Sequence, residues 1–228
     1  MLSWLPAAAS SYAGDIDRLL VLITVIVGVW FIAAEACLVY FALRFRRKPG
    51  RRAAYLPATT LRSMGFVLVP CAVILGFDLV IDAASAPVWD KIKQTLPAHD
   101  ELVRITGEQW AWRFTLPGPD GKLDTPDDVQ LVNELHVPVN AVVQFELTAK
   151  DVLHSLWIPA FRLKQDAVPG RTIRGWFEAT QEGEYPVVCA EICGLLHTMM
   201  QGKLRVESRA EYQRWLESKG AAPASSQG

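Results

Sequence analysis

The chain has 228 residues, with 23 basic and 24 acidic side chains, a net charge of −1 and 51% hydrophobic residues. So even a balance leaves no basic footprint for nucleic acid, and four cysteines are too few for a small disulfide-built scaffold.

Residues 1–18 have no basic region ahead of an apolar stretch, and Asp15, Asp17 and Arg18 stand directly before the first long apolar run. That is not the order of a cleaved secretory leader, so an external N-terminal segment and an uncleaved first helix are expected. Residues 19–43 contain one charge, Glu35, and would span about 37 Å as a helix, enough to cross a bilayer with some tilt. Residues 63–81 form a second apolar run interrupted only by Asp78, about 28 Å long as a helix. The loop between them, residues 44–62, holds Arg44, Arg46, Arg47, Lys48, Arg51, Arg52 and Arg62 and no acidic residue. Seven bases mark it as cytoplasmic. Both chain ends are then placed outside, with residues 82–96 as a connector from the hairpin to the C-terminal half of the chain. Cys37 and Cys71, inside the two helices, read as small apolar residues. Glu35 is a functional candidate by its depth in the membrane, as a proton-uptake group or as a carboxylate bonded to a neighbouring subunit.

Without the seven bases of the loop, 16 basic residues face 24 acidic ones, a net charge of −8. An acidic external face would speed the encounter with a basic soluble partner. It would equally serve ordinary solubility.

From residue 97 the pattern changes from helical to alternating, in short runs separated by Pro, Gly, Asn and Asp. Strands are predicted at 102–106, 110–116, 129–136, 142–149, 172–178, 185–190 and 203–206, and their spacing suggests a Greek-key β-sandwich or barrel. The Asp- and Gly-rich stretch 118–128 lacks the terminal bidentate Glu of a calcium loop and reads as a turn. Ser208 followed by Glu211 predicts a capping box. Tyr212, Trp215 and Leu216 give the short helix beyond it an apolar side, which closes the domain 97–218; a disordered tail is expected at 219–228.

The chemistry is concentrated in Cys189-Ala-Glu-Ile-Cys193-Gly-Leu-Leu-His197-Thr-Met-Met200. Soft thiolate and thioether ligands select copper. A second thiolate four residues before the first would allow two bridged metal ions, each left with one imidazole and one weak ligand. The second imidazole must come from upstream, and His154 in Asp151-Val-Leu-His is the best placed; His99 and His136 read as surface and strand residues. A Cys189–Cys193 disulfide or a zinc site would use the same thiols, but neither accounts for Met200.

Two membrane helices followed by Asp-Val-Leu-His and Cys-x-Glu-x-Cys-x3-His-x2-Met resemble subunit 2 of the haem-copper oxidases, which carries the dinuclear copper A (CuA) centre. Gly107-Glu-Gln-Trp110-Ala-Trp112 and Lys164-Gln-Asp-Ala-Val-Pro-Gly-Arg171 are similar to further stretches of that family. The resemblance implies a cupredoxin-like domain on a transmembrane hairpin, with Cys189 and Cys193 bridging two coppers and His154 and His197 as terminal ligands. Met200 and the Glu191 carbonyl would be weak ligands, and the Glu191 carboxylate would reach a magnesium or manganese ion shared with the catalytic subunit. Trp110 would be the tryptophan through which electrons arrive from cytochrome c. The haem would lie only in partner subunits, above all the catalytic subunit 1. The membrane would be the inner membrane of a prokaryote, with the domain on its periplasmic side. The chain departs from the family in carrying Ser63 where many members have a Glu before the second helix's Pro, and Ala111 where a Tyr commonly separates the tryptophans. The first departure is compatible with the same relay serving a nitric oxide-reducing enzyme. A membrane-anchored copper chaperone is a remote alternative, disfavoured by the late position of the Cys pair between strands.

Overall fold

The computed structural model describes residues 5–52, 55, 57–118 and 120–219. Contacts divide the chain into an anchor, Asp15–Trp89, and an outer unit built from the residues before Asp15 together with those from Asp90 onward.

The anchor holds α1, Ala13–Arg44, and α2, Gly65–Trp89, both long and apolar enough to cross a membrane. Trp30 and Phe77 meet edge to face across their seam, ring centroids 6.1 Å apart. α1 starts six residues before the apolar run, at Ala13 rather than residue 19. An acidic Asp15 in the first turn favours the positive end of the helix dipole, and Arg18 pairs with it one turn on. α2 likewise runs past residue 81, and a π turn, Asp90–Gln94, continues it. Most of the expected connector is therefore helical, as its Ala-rich stretch 83–86 permits.

The outer unit contains ten strands: β1 Glu101–Glu108, β2 Ala111–Leu116, β3 Val129–Val132, β4 Glu134–Pro138, β5 Val142–Ala149, β6 His154–Ile158, β7 Leu163–Ala167, β8 Ile173–Glu178, β9 Gly183–Cys189 and β10 Gln201–Glu207. They form two five-stranded sheets, ordered β3-β2-β1-β5-β8 and β4-β10-β9-β6-β7. Alternate residues point inward, as period-2 strands with one covered face require. Val103 and Ile105 of β1, Trp112 and Phe114 of β2, and Phe145 and Leu147 of β5 are buried on that inner face.

The stretch 129–136 is not one strand. Asn133, with φ of 59°, breaks it so that β3 joins one sheet and β4 the other. Its side chain accepts a hydrogen bond from Trp112 N, and its backbone bonds Trp112 O and Lys203 N, all at 2.8 Å. One residue thereby satisfies backbone groups of both sheets. Alternation also overlooked β6 and β7, which are only five residues each and are joined through a tight turn at Pro159–Phe161. The loop 118–128 is a turn, as expected: Lys122 N donates to Asp120, Asp124 N to Asp128, and Thr125 to Asp127.

The segment before α1 is part of the outer unit. Ser10 bridges to Ala179, flanked by Ala9 N to Ala160 O, Thr180 N to Ala9 O and Ser11 N to Glu178 O at 2.9–3.0 Å. Tyr12 is fully buried, edge-on to Trp176 with centroids 5.4 Å apart, and its hydroxyl donates to Trp176 O. The segment leading into α1 therefore belongs to the folded outer unit.

At the other end, α3, Arg209–Ser218, opens with the expected capping box and buries Tyr212 and Leu216. Trp215 stacks on His136 at 4.1 Å, while the His136 ring nitrogens face Glu134 at 3.1 Å and Glu207 at 3.2 Å. His136 is thus a packing residue under this helix. The expected disordered tail lies, from residue 220, outside the described residues.

Truncating Tyr12 leaves a cavity under the N-terminal segment. Tyr12→Ala should destabilise the outer unit by about 3 kcal/mol, read from denaturant unfolding followed by tryptophan fluorescence.

Candidate metal centre

Two loops meet at one end of the sandwich. The first leaves β9 at Cys189 and returns to β10 after a short turn, His197–Met199. Its neck is closed by Cys189 N donating to Met200 O at 3.2 Å. The second runs from β5 to β6 and delivers His154. Ala190 N donates to Ser155 O at 2.9 Å, and Leu156 is in register with Cys189, so strand pairing holds the imidazole against the sulfur.

His154, Cys189 and Cys193 are buried, with donor atoms all within 4.8 Å of one another. The Cys189 Sγ lies 4.0 Å from His154 Nδ1 and 3.2 Å from the Glu191 carbonyl oxygen. Cys193 Sγ lies 3.6 Å from His197 Nδ1 and 3.8 Å from Met200 Sδ. The two sulfurs are 3.8 Å apart. A disulfide needs about 2.05 Å, and both thiols are free. Each sulfur is thus accompanied by one imidazole and one weak donor. Met200, 1% exposed, brings a thioether into this set, which suits copper better than zinc. Burial, and next to it the neighbouring Cys189 thiol, push the Cys193 thiol up to about 11. A metal entering here must displace thiol protons.

The surrounding groups set the orientation of these donors. Asp151 Oδ1 is 2.8 Å from His154 Nε2. A carboxylate can only accept, so Nε2 carries the hydrogen and the Nδ1 lone pair points to Cys189. Burial alone would raise the Asp151 carboxyl. Hydrogen bonds from His154 and from the N–H groups of Gln109 and Val152 outweigh it and hold the carboxyl below the usual range. Gln109, in the β1–β2 turn, also donates its side-chain amide to Cys193 O at 2.7 Å. One turn therefore braces both loops. Gly107 makes room for the imidazole, since a Cβ there would stand 2.9 Å from His154 Cδ2. Trp112 packs its edge toward the same ring at 6.1 Å.

Trp110 and Trp112 do not form a core pair. Trp112 is buried, whereas Trp110 is half-buried and lies against the Cys loop, where a Cβ on Gly194 would meet its indole at 3.2 Å. Gly194, at φ of +125°, allows this approach. Glu35 belongs to the anchor, and His99 is exposed. Asp151, Gln109 and Gly107 were not singled out as site residues from the sequence. The Asp three residues before His154 was the available signal, because a ligand histidine needs a partner for its second nitrogen.

Fold and donor set together define a membrane-anchored, cupredoxin-like domain with a soft-donor metal centre at one end. Residues 102–206 match the family model described as cytochrome c oxidase subunit II, periplasmic domain. The alternative cytochrome c oxidase subunit 2 of Bradyrhizobium diazoefficiens is 34% identical over 239 residues, covering 94% of this chain and 83% of the relative. Cytochrome c oxidase subunit 2 of Cereibacter sphaeroides is 30% identical over 240 residues, covering 92% and 78%. The crystal structure of the periplasmic domain of subunit II of cytochrome oxidase from Bradyrhizobium japonicum shares 32% identity with a TM-score of 0.49, covering 55% of this chain and 97% of that one. The chain belongs to the cytochrome c oxidase subunit 2 family. It is accordingly a subunit of a haem-copper oxidase, an oxidoreductase, with a CuA-type site on a membrane-anchored, outward-facing domain.

Asp151→Ala removes the partner of His154 and should weaken copper binding by about 10- to 100-fold, measured by competition with a copper chelator. Gly107→Ala should weaken it as well, by displacing the same ring while leaving Asp151 in place.

Proposed function

We propose that the chain accepts electrons from a soluble cytochrome c, or a similar donor, at a dinuclear CuA centre and passes them to the haem of the catalytic subunit for oxygen reduction. The observation that carries this reading is the pairing of each buried sulfur with its own imidazole and weak donor. When bound, the copper pair supplies a one-electron couple whose charge change is shared between two ions. Cys189 and Cys193 would bridge the ions, and His154 and His197 would be the terminal ligands. Met200 and the Glu191 carbonyl would be the weak ones.

The chain's own task is to keep these atoms still. Donors fixed by a closed loop neck, a sheet register and the Asp151–His154 contact have little freedom to rearrange when charge arrives or leaves. Trp110 is the proposed place where electrons enter, supported by its position against Gly194 of the Cys loop. Exposed Ile192, Leu195 and Met199 form an apolar tip on that loop, suited to docking because little solvation is lost there. The acidic balance outside the basic loop favours a basic donor. The half-buried Glu191 carboxylate is proposed to share a magnesium or manganese ion with the catalytic subunit, and Glu35 to take up protons in place of the Glu whose position Ser63 occupies. The setting proposed is a prokaryotic inner membrane with the outer unit in the periplasm. No feature of the site favours nitric oxide over oxygen as the final acceptor.

The purified full chain should hold two coppers with a delocalised hyperfine pattern in electron paramagnetic resonance; one copper with a localised pattern would falsify the bridged assignment. Trp110→Leu should slow electron uptake from reduced cytochrome c by about tenfold or more, a barrier increase of about 1.4 kcal/mol, with copper content unchanged. Glu35→Gln should lower steady-state proton uptake without altering the copper spectrum.

A further inference from the structure

The basic loop is folded where it leaves α1. Lys48-Pro49-Gly50-Arg51 forms a β-turn: Arg51 N donates to Lys48 O at 3.2 Å, and Gly50 takes a φ of +74°. Proline at the second position of such a turn fixes its own φ, and glycine at the third supplies the left-handed conformation that the type II form demands. The two ends of a β-turn stand within about 7 Å of each other at their Cα atoms. The chain therefore doubles back on itself, and Arg46, Arg47 and Lys48 on one arm are gathered with Arg51 and Arg52 on the other.

All five bases are exposed, and among the described residues none of them has an ion-pair or side-chain hydrogen-bond partner. The loop cannot supply one, because residues 44–62 contain no acidic side chain. Orientation in the membrane needs only an excess of bases on the inner side; it needs no turn that crowds them. Like charges repel at this range, and a turn set by Pro and Gly keeps them together, so the cluster calls for an anion. Just before it, the rings of Tyr40, Phe41 and Phe45 pack in series with centroids 5.6 and 5.8 Å apart, and Arg44 Cζ sits 5.6 Å over the Phe45 ring. Aromatic side chains gather at the level of the lipid headgroups. The bases follow directly on those rings, so they emerge among phosphates.

We infer that the turn of residues 46–52 is a binding site for the phosphate headgroups of anionic lipid in the inner leaflet. Guanidinium groups take phosphate oxygens two at a time, and the lysine adds a point charge. The negative surface of that leaflet strengthens the attraction of each base. The site goes beyond the electron-transfer reading and needs only the loop's place at the inner face of the membrane.

The test uses the full chain purified in mixed micelles of phosphatidylglycerol and phosphatidylcholine in equal amounts, with retained lipid counted by native mass spectrometry. Phosphatidylglycerol should be kept in preference to phosphatidylcholine, and added salt should release it. Replacing Arg46, Arg47, Lys48, Arg51 and Arg52 by Gln should lower that retention by about tenfold or more. Gly50→Val keeps every base, and with them the signal for insertion, but is strained at a φ of +74°; it should lower retention too, though less. Undiminished retention in either variant would overturn the assignment. So would displacement of the lipid by inorganic phosphate at constant ionic strength, which marks a site for the free anion. Cleavage of the loop by trypsin added outside sealed vesicles would overturn it as well, because the turn would then meet the other leaflet. Copper content of the same samples tests the electron-transfer reading separately: copper loss with lipid still held sinks that reading and leaves this site assigned.

Discussion

Two thiols kept 3.8 Å apart and buried, close enough to share metal ions and too far apart to bond, are the constraint on which the outer unit is organised. Flexible loops would let such sulfurs close into a disulfide or drift apart. Here the Cys loop is cinched at its neck by Cys189 and Met200, the His154 loop is fixed by pairing with β9, and Gln109 ties the two together from a third turn. The sandwich provides the rigidity beneath them, and the donor set is presented at its rim.

The donor set was legible because its spacing is local. Cys189, Cys193, His197 and Met200 fall on one loop, and the upstream imidazole had one good candidate. The hairpin was legible too, since apolar length and a basic loop are read directly from composition. What escaped depends on contacts between distant segments. Asn133 reads as a residue inside an alternating run, yet its positive φ and its bonds to Trp112 and Lys203 send the chain from one sheet to the other. β6 and β7 are too short to assert a period. Asp151 is one acidic residue among many until the His154 ring nitrogen is seen 2.8 Å away.

A general physical rule governs the surroundings of the site: a polar group taken out of water must find a partner. In the outer unit the rule is met internally, as when Asp151 accepts three hydrogen bonds, from His154, Gln109 and Val152.

The N-terminal residues that bridge to Ala179 and bury Tyr12 belong to the outer unit, so the chain enters the anchor from that unit and returns to it. Polypeptide leaves the folded body, crosses, turns and comes back to the same body, so the covalent continuity of the basic loop is not what keeps the two crossings together. A protease that nicks that loop from the inside would yield two fragments still clasped at the outer face, one by its strand-like addition to the sandwich and the other by being the sandwich.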